Sequence, residues 1–539
     1  MIAVLPRPER MVVRAGEFEL TRDARIAVAE PLEAAALQVQ QWLQAPTGFP
    51  LTIVAAKRAR AGDLVIDHDP DLGDEAYQLD VGRTRVRIAA STRRGALWGA
   101  QVLRQLLPPQ IYRRALADAC WRVPAVNIED EPHFAWRGAM LDVARTFRTV
   151  AEVCRFVELL SMHRLNVLHL HLTDDQGWRL QIERHPRLTE VGGWRPESQV
   201  GGDPDRLDGR PHGGFYTHGD IREIVAFAAA RGVDVVPEID LPGHVRAAVA
   251  AYPALGVDGQ PASVWTGWGI SPVVLCPEES TITFFEEVFD EVMDLFPSSV
   301  IGVGGDECLK EQWRDSPRAQ ERIGELGLAD EEELQSWFIG RIAEHLAGRG
   351  RRVFGWDEIL EGGAPPNAVI ASWRGMVGAV AAARAGHDVI ACPDDRVYLD
   401  YRQSDADTEP IGVGIPLSLA DVHAFEPVPA ELTAEEATHV VGGQANIWTE
   451  HIDTVRALDY MAFPRLCAVA EALWVRGKRD FTEFSGRMAT HLRRLDAAGV
   501  EYRPESGPLP WQQRPGIVGR PQTPEERAAL VAELTANIG

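Results

Sequence analysis

Cysteine is scarce and scattered. Six occur among 539 residues, at Cys120, Cys154, Cys276, Cys308, Cys392 and Cys467, with no Cys-x-x-Cys pair. That excludes a disulfide-dense scaffold and the common structural zinc sites, so free thiols are expected. Long apolar runs are missing too: none reaches the roughly 18 residues that a membrane span needs. The opening MIAVLPRPERMVVR puts two prolines and three arginines where a secretory leader needs an apolar stretch. A cytoplasmic location is therefore expected, secretion requiring a leader already removed. Basic charge is also short. The 55 Lys and Arg against 79 Asp and Glu leave a net charge of −24, a field that repels phosphate backbones and anionic lipid, so neither nucleic acid nor membrane is an expected partner.

What is present is globular composition, with 45% hydrophobic residues, 25% charged residues and 15 tryptophans. At about 150 residues per domain the length suits three or four domains, or two if one is a barrel of about 250 residues or more. Charge divides the chain: residues 1–130 hold 17 Lys and Arg and 16 Asp and Glu, leaving −25 for the remainder. The first stretch has short β-rich runs (RIAVA, LTIVAA, DLVID, YQLDVGRTRVRIAAS) and helical patterns at 31–45 and 93–107, which predicts a small α+β domain over 1–130.

From Arg137 onward eight apolar runs alternate with helical segments, at 137–143, 166–172, 233–239, 299–304, 352–356, 368–372, 388–392 and 439–448. Near-continuous apolar strands separated by helices indicate parallel strands covered on both faces, and eight of them predict an α/β protein with a closed (β/α)8 TIM barrel over 131–480. A doubly wound open sheet is the alternative, weakened because no G-x-G-x-x-G follows any strand. Residues 481–539 form an extension whose TPEERAALVAELTANI reads as a capped helix packing on the barrel.

In such a barrel the site lies where the strands end. The second run is followed by Thr173-Asp174-Asp175-Gln176, the third by Asp240 and His244, and the fourth by Asp306-Glu307. Trp356 and Trp373 end the fifth and sixth, Tyr398 and Asp400 lie beyond the seventh, and Trp448 and Glu450 end the eighth. Carboxylates and tryptophans on one rim suit a carbohydrate, since indole faces pack on sugar C–H faces while carboxylates accept hydroxyl protons. A glycosidic leaving oxygen also needs an acid to protonate it. Adjacent Asp306 and Glu307 should repel, raising the proton affinity of one so that it can donate while the other stays ionised.

W-R-G-x-M-L-D-V-A-R (136–145), H-L-H-L-T-D-D-Q-G-W-R (169–179), V-P-E-I-D-L-P-G-H (236–244), G-G-D-E (304–307), G-W-D-E-I (355–359), Tyr398-Leu399-Asp400 and N-I-W-T-E (446–450) together resemble the β-N-acetylhexosaminidases of glycoside hydrolase family 20. The resemblance covers about 131–475, and 1–130 is similar to the family's N-terminal α+β domain. It implies an exo-acting, retaining glycosidase that needs no cofactor and no metal. Its nucleophile is the 2-acetamido oxygen of a terminal β-linked N-acetylhexosamine, a carbohydrate substrate such as a chitooligosaccharide or glycan end. By the same resemblance Glu307 is the acid and then the base, and Asp306 holds the acetamido N–H and the oxazolinium-like intermediate. Tyr398 orients the acetamido oxygen, and Asp174 with His244 stands behind Glu307, Asp175 competing for Asp174's part. Trp356, Trp373 and Trp448 wall the sugar pocket, and Arg137, Asp400 and Glu450 bind hydroxyls. The family usually has His-x-Gly-Gly-Asp-Glu at the fourth strand, whereas Gly302 stands here in the His position.

Two other readings compete. His169 and His171, two apart on one strand face, with His244 could begin the metal site of an amidohydrolase-type barrel, against which stands a hydrogen-bonded barrel interior. A non-catalytic sugar-binding protein is the second. The inserts 196–219 and 256–275, the latter with Trp265 and Trp268, are expected to shape the aglycone side.

Overall fold

A computed structural model describes residues 2–538. Residues 2–130 hold a seven-stranded sheet in the order β1-β7-β5-β6-β4-β2-β3, from β1 (Arg10–Glu19), β2 (Ile26–Val28), β3 (Ile53–Ala55), β4 (Leu64–His68), β5 (Tyr77–Val81), β6 (Val86–Ala90) and β7 (Arg122–Asp130). In β5 buried residues alternate with half-buried ones, the period of a strand with one covered face. Helices α1 (Glu33–Thr47) and α2 (Arg93–Leu106) accompany the sheet. α2 is capped by Thr92, whose side chain accepts from the Gly95 N–H. It is buried on nearly all sides because it lies between the sheet and the next domain, where Gln101 donates to Ser161 at 3.0 Å.

Eight parallel strands then close into a barrel: β8 (Trp136–Asp142), β9 (Val167–His171), β10 (Asp234–Glu238), β11 (Val300–Gly302), β12 (Arg352–Trp356), β13 (Val369–Ser372), β14 (Asp388–Ala391) and β15 (Val440–Ile447). Each overlaps one predicted run. β15 pairs with β8 from Gly442 opposite Trp136 to Ile447 opposite Leu141, a closure that removes the open-sheet alternative.

The outer ring holds α3 (Val150–Met162), α4 (His218–Ala230), α5 (Glu279–Leu295), α6 (Glu331–Gly348), α7 (Val377–Arg384) and α8 (Arg465–Trp474). Between β12 and β13 the chain makes only a 3-10 turn over Asp357–Leu360. The following EGGAPPN explains this: Gly362 and Gly363 take positive φ, and two prolines remove backbone donors.

Helix α9 (Phe481–Ala498) joins the two bodies. Arg494 donates to the carbonyls of Ala3 and Gln105, both at 2.6 Å, and Arg487 to that of Val4 at 2.9 Å. The chain then crosses the opposite mouth of the barrel, where Arg520 and Pro521 pair with Val413 and Gly414, and ends in α10 (Pro524–Leu534), capped reciprocally by Thr523 and Glu526. No helix among the described residues is long and apolar enough to cross a membrane.

Candidate active site

The turn leaving β11 is shaped by close approach. Gly304 and Gly305 have φ of +67° and +92°, and a Cβ on Gly304 would stand 1.8 Å from Asp240 Oδ1. Asp240 Oδ1 accepts from the Gly305 N–H at 3.3 Å, and Gln335 of α6 donates to the Gly305 carbonyl at 2.7 Å. The next residues, Asp306 and Glu307, are thereby carried to the C-terminal mouth. Glu307 has φ +47° and His244 φ +52°, a left-handed backbone that side-chain-bearing residues keep only where their surroundings hold it, often at functional sites.

His244 ties these groups together. Its Nε2 lies 3.4 Å from Glu307 Oε2 and 3.6 Å from Asp306 Oδ2. On the other side Nδ1 lies 3.2 Å from Asp175 Oδ2 and 3.3 Å from Asp174 Oδ1. Only the contact with Asp175 has hydrogen-bond geometry. The Asp174 oxygens are otherwise engaged, by His171 Nε2 at 2.8 Å, Arg145 Nη2 at 2.8 Å and the Asp175 N–H at 2.6 Å. Both aspartates thus serve the ring, Asp175 as hydrogen-bond partner and Asp174 as neighbouring charge.

Burial disfavours the charged imidazole, but the Asp174 carboxylate, with those of Asp175 and Glu307 beside it, outweighs burial and holds His244 well above its ordinary range. The upward shift expected within the carboxylate pair falls on Asp306, whereas the resemblance gives the acid's part to Glu307, so the expectation that the raised member of the pair is the donor does not hold. Burial and the Glu307 charge overcome the attraction of His244 and push Asp306 up to about 6. The Asp306 side chain lies deep, 10% exposed, and that of Glu307 nearer the opening, 33% exposed.

A cavity of about 340 Å3 opens over this pair. Trp356, Trp373, Tyr398 and Trp448 wall it: Trp373 stacks on Tyr398 with centroids 6.1 Å apart, and Trp356 lies 5.9 Å from Trp448. Asp400 and Glu450 lie on the same wall. Burial raises the proton affinity of both, Asp400 further through the Glu450 charge, while Arg145 opposes the rise at Glu450. Trp268 from the 256–275 insert also lines the cavity, whereas Trp265 lies under the Arg246 guanidinium, 5.7 Å from its ring centroid. Asp240 Oδ2, Asp306 Oδ1, Asp400 Oδ1, Arg145 Nη1 and Trp268 Nε1 are all buried without a hydrogen-bond partner. Those of Asp306, Asp400, Arg145 and Trp268 belong to residues that line the cavity, where unpaired donors and acceptors suit a polar, many-hydroxyl ligand.

Arg137 is not part of this surface, contrary to expectation. It is the second residue of β8, at the N-terminal mouth and fully buried, where Nε donates to the Arg164 carbonyl at 3.0 Å and Nη1 to that of Phe134 at 2.7 Å. Its Nη2 pairs with Glu75 of the N-terminal domain. A seven-residue strand rising 3.3 Å per residue puts its two ends about 20 Å apart. Arg145, three residues past the end of β8, is the arginine at the pocket: it pairs with Asp174 and lies 4.9 Å from the Trp448 ring centroid. The strand-end rule, applied to the same motif, selects it.

Gly302 has a steric explanation. A Cβ there would stand 2.8 Å from Glu238 Cβ, so the family's usual His has no room. Glu238 fills the barrel axis, accepting from Trp356 Nε1 at 2.8 Å and bonding His169 Nε2 at 3.0 Å and His171 Nδ1 at 2.6 Å. His169 Nδ1 meets Gln444 Nε2 at 3.1 Å, and His171 Nε2 meets Asp174. All four ring nitrogens lie within hydrogen-bond distance of a protein partner, so the pair forms a polar barrel interior.

Comparison with known proteins agrees with this geometry. Residues 134–477 match Glycosyl hydrolase family 20, catalytic domain, and residues 1–131 match Glycosyl hydrolase family 20, domain 2. A beta-hexosaminidase of Porphyromonas gingivalis is 39% identical over 96% of this chain, which spans 65% of that protein's length. A beta-N-acetylhexosaminidase of Cellulomonas fimi is 34% identical over 93% of this chain and 96% of its own. The solved structure of the exo beta-N-acetylglucosaminidase of Vibrio harveyi, in complex with N-acetylglucosamine, superposes with a TM-score of 0.81 at 32% identity, covering 93% of this chain and 78% of that one. The chain belongs to glycosyl hydrolase family 20 and is a glycoside hydrolase.

Proposed function

We propose that this site removes a single terminal β-linked N-acetylhexosamine, using the substrate's own acetamido oxygen as nucleophile. The observation that carries the reading is the adjacent Asp306 and Glu307, both within 3.6 Å of one His244 nitrogen, beneath a tryptophan-walled cavity of about 340 Å3. That volume suits one sugar ring at a chain end better than a polysaccharide threaded through.

In the first step the acetamido oxygen attacks the anomeric carbon while the glycosidic bond breaks. Glu307 gives its proton to the departing oxygen, and the sugar is left as a cationic oxazolinium ring. Asp306, ionised above about pH 6, accepts the acetamido N–H and opposes the positive charge as it develops, a contact stronger in the transition state than in the bound substrate. Tyr398, whose phenol burial and nearby acidic groups hold well above its ordinary range, keeps its proton and donates it in a hydrogen bond to the attacking oxygen. Holding an internal nucleophile in attack geometry supplies up to roughly 7–11 kcal/mol. In the second step the Glu307 carboxylate takes a proton from water, whose oxygen adds to the anomeric carbon and reopens the ring with retained configuration. Asp175 and Asp174 keep His244 charged beside both carboxylates. Arg145, Asp400 and Glu450 take the hydroxyls, and Trp356, Trp373 and Trp448 enclose the ring and the acetamido methyl.

The test is proton NMR of chitotriose hydrolysis together with Glu307→Gln. The expected course is release of one GlcNAc at a time from the non-reducing end, β-anomer first. Glu307→Gln should slow chitobiose cleavage by about 10²–10⁴-fold and p-nitrophenyl glycosides, which need little protonation, much less. Internal cleavage, or the α-anomer first, would contradict the reading.

A further inference from the structure

Helix α10 lies beyond residues 134–477, the stretch matched to the catalytic domain, yet it sends Arg527 into the wall of the sugar pocket. Arg527 is 7% exposed. Its Nε pairs with the Asp394 carboxylate, and its guanidinium lies 5.6 Å from the Trp373 ring centroid. Asp394 is completely buried and also accepts from the Tyr401 hydroxyl at 2.8 Å. Both neighbours of Arg527 lead to one side chain: Trp373 stacks on Tyr398 at an interplanar angle of 23°, and Tyr401 meets Tyr398 edge-on with centroids 5.7 Å apart.

The helix carrying Arg527 is held in register. Arg374, the residue after Trp373, donates to the Leu534 carbonyl at 2.7 Å, and the Gly202 N–H donates to the Val518 carbonyl at 2.8 Å. Removing Arg527 would leave Asp394 buried with no cation, in a site where burial already raises its proton affinity and Arg527 opposes the rise. The carboxyl would then turn neutral or move, and Tyr401 with it.

We propose that Arg527 is a positioning residue of the active site, fixing the Tyr398 ring from two sides, through Asp394 and Tyr401 on one and through Trp373 on the other. The proposal rests on the reading above, in which Tyr398 orients the acetamido oxygen. A misplacement of about 1 Å in a group that sets attack geometry can cost about 10²-fold in rate, while ground-state binding of the sugar depends on many other contacts. Arg527 therefore acts on kcat, and only where Tyr398 has a hydroxyl to place.

A double-mutant cycle on the full chain with p-nitrophenyl β-GlcNAc tests this. Arg527→Met should lower kcat about 10- to 100-fold, with KM changed less than about threefold. In a Tyr398→Phe background the same change should lower kcat by less than about threefold, since the group being positioned is already absent. Arg527→Lys keeps the charge on Asp394 but loses the planar face over Trp373, should fall between Met and wild type in the Tyr398 background, and carries the cycle if the Met variant does not fold. An equal loss in both backgrounds, or no loss in either, would overturn the proposal. An inactive wild-type chain would count against the proposed function, whereas an active wild type with a background-independent Arg527 effect counts against Arg527 alone.

Discussion

At the N-terminal mouth of the barrel a cavity of about 560 Å3 is lined by Glu75, Arg94, Asp234, Arg352 and Asp388; at the C-terminal mouth one of about 340 Å3 lies over Asp306 and Glu307. In the larger cavity the charges are matched: Arg94 pairs with Asp234 and Arg352 with Asp388, both at 2.7 Å, and Glu75 with the buried Arg137. Burial works against Glu75, yet Arg137 and Arg94 hold it below its ordinary range. In the smaller one Asp306, Asp400 and Glu450 are all displaced upward, and two of these three have a buried oxygen without a partner. The larger void is packing between two domains. Chemistry is marked by charge left unbalanced under burial, not by volume.

The sharpest way to break this contrast is to remove one arginine from each mouth. Arg145→Met removes the guanidinium from Asp174, which keeps only His171 and His244, and leaves Glu450 without the positive charge that opposes its upward shift; kcat/KM on p-nitrophenyl β-GlcNAc should fall by about 10²-fold or more, as expected when a buried charge loses a partner. Arg137→Met should leave kcat/KM within about twofold while costing roughly 3 kcal/mol of stability, because its partner Glu75 is left in the domain interface. Kinetics and thermal melts of the two variants decide, and the reverse pattern would move the sugar-binding arginine back to the start of the strand.

A smaller effect follows from Asp306. Its role needs the ionised carboxylate, so kcat/KM should decline about tenfold per pH unit below about pH 6. The linked stability has the opposite sign. A carboxyl whose proton affinity is raised by folding favours the folded state while protonated; that contribution is complete below the ordinary carboxylate range and is lost as pH rises through about 6. Asp306→Asn should therefore raise Tm by about 2 °C at pH 7.5, where it removes a buried charge, and leave it unchanged at pH 4. Equal differences at both pH values would contradict the assignment.

The eight barrel strands were legible because a parallel strand covered on both faces is apolar along its whole length, and the carboxylates because Asp306 and Glu307 sit in one short stretch after a strand. Arg137 was misplaced because the motif holds two arginines, one at each end of a strand that spans the barrel, and residue type alone does not say which mouth each reaches. Asp174 and Asp175 could not be separated because strand periodicity lapses at a strand end, and both reach His244. Glu238 explains Gly302 only once the strands are paired, through the register that sets Glu238 opposite Gly302. Arg527 left no signal: its partners Asp394 and Trp373 precede it by more than a hundred residues, and only the folded tail brings them together.

Whether the substrate supplies the nucleophile is decided by comparing p-nitrophenyl β-GlcNAc with p-nitrophenyl β-glucoside, which differs in lacking the acetamido group. The glucoside should be cleaved slower by a factor of about 10⁵ or more, since it loses the intramolecular advantage, and a thiazoline mimic of the cyclised intermediate should inhibit strongly. Glucoside turnover within tenfold of the GlcNAc substrate, together with a glycosyl ester on Asp306 in the mass spectrum, would contradict substrate assistance and make Asp306 the nucleophile.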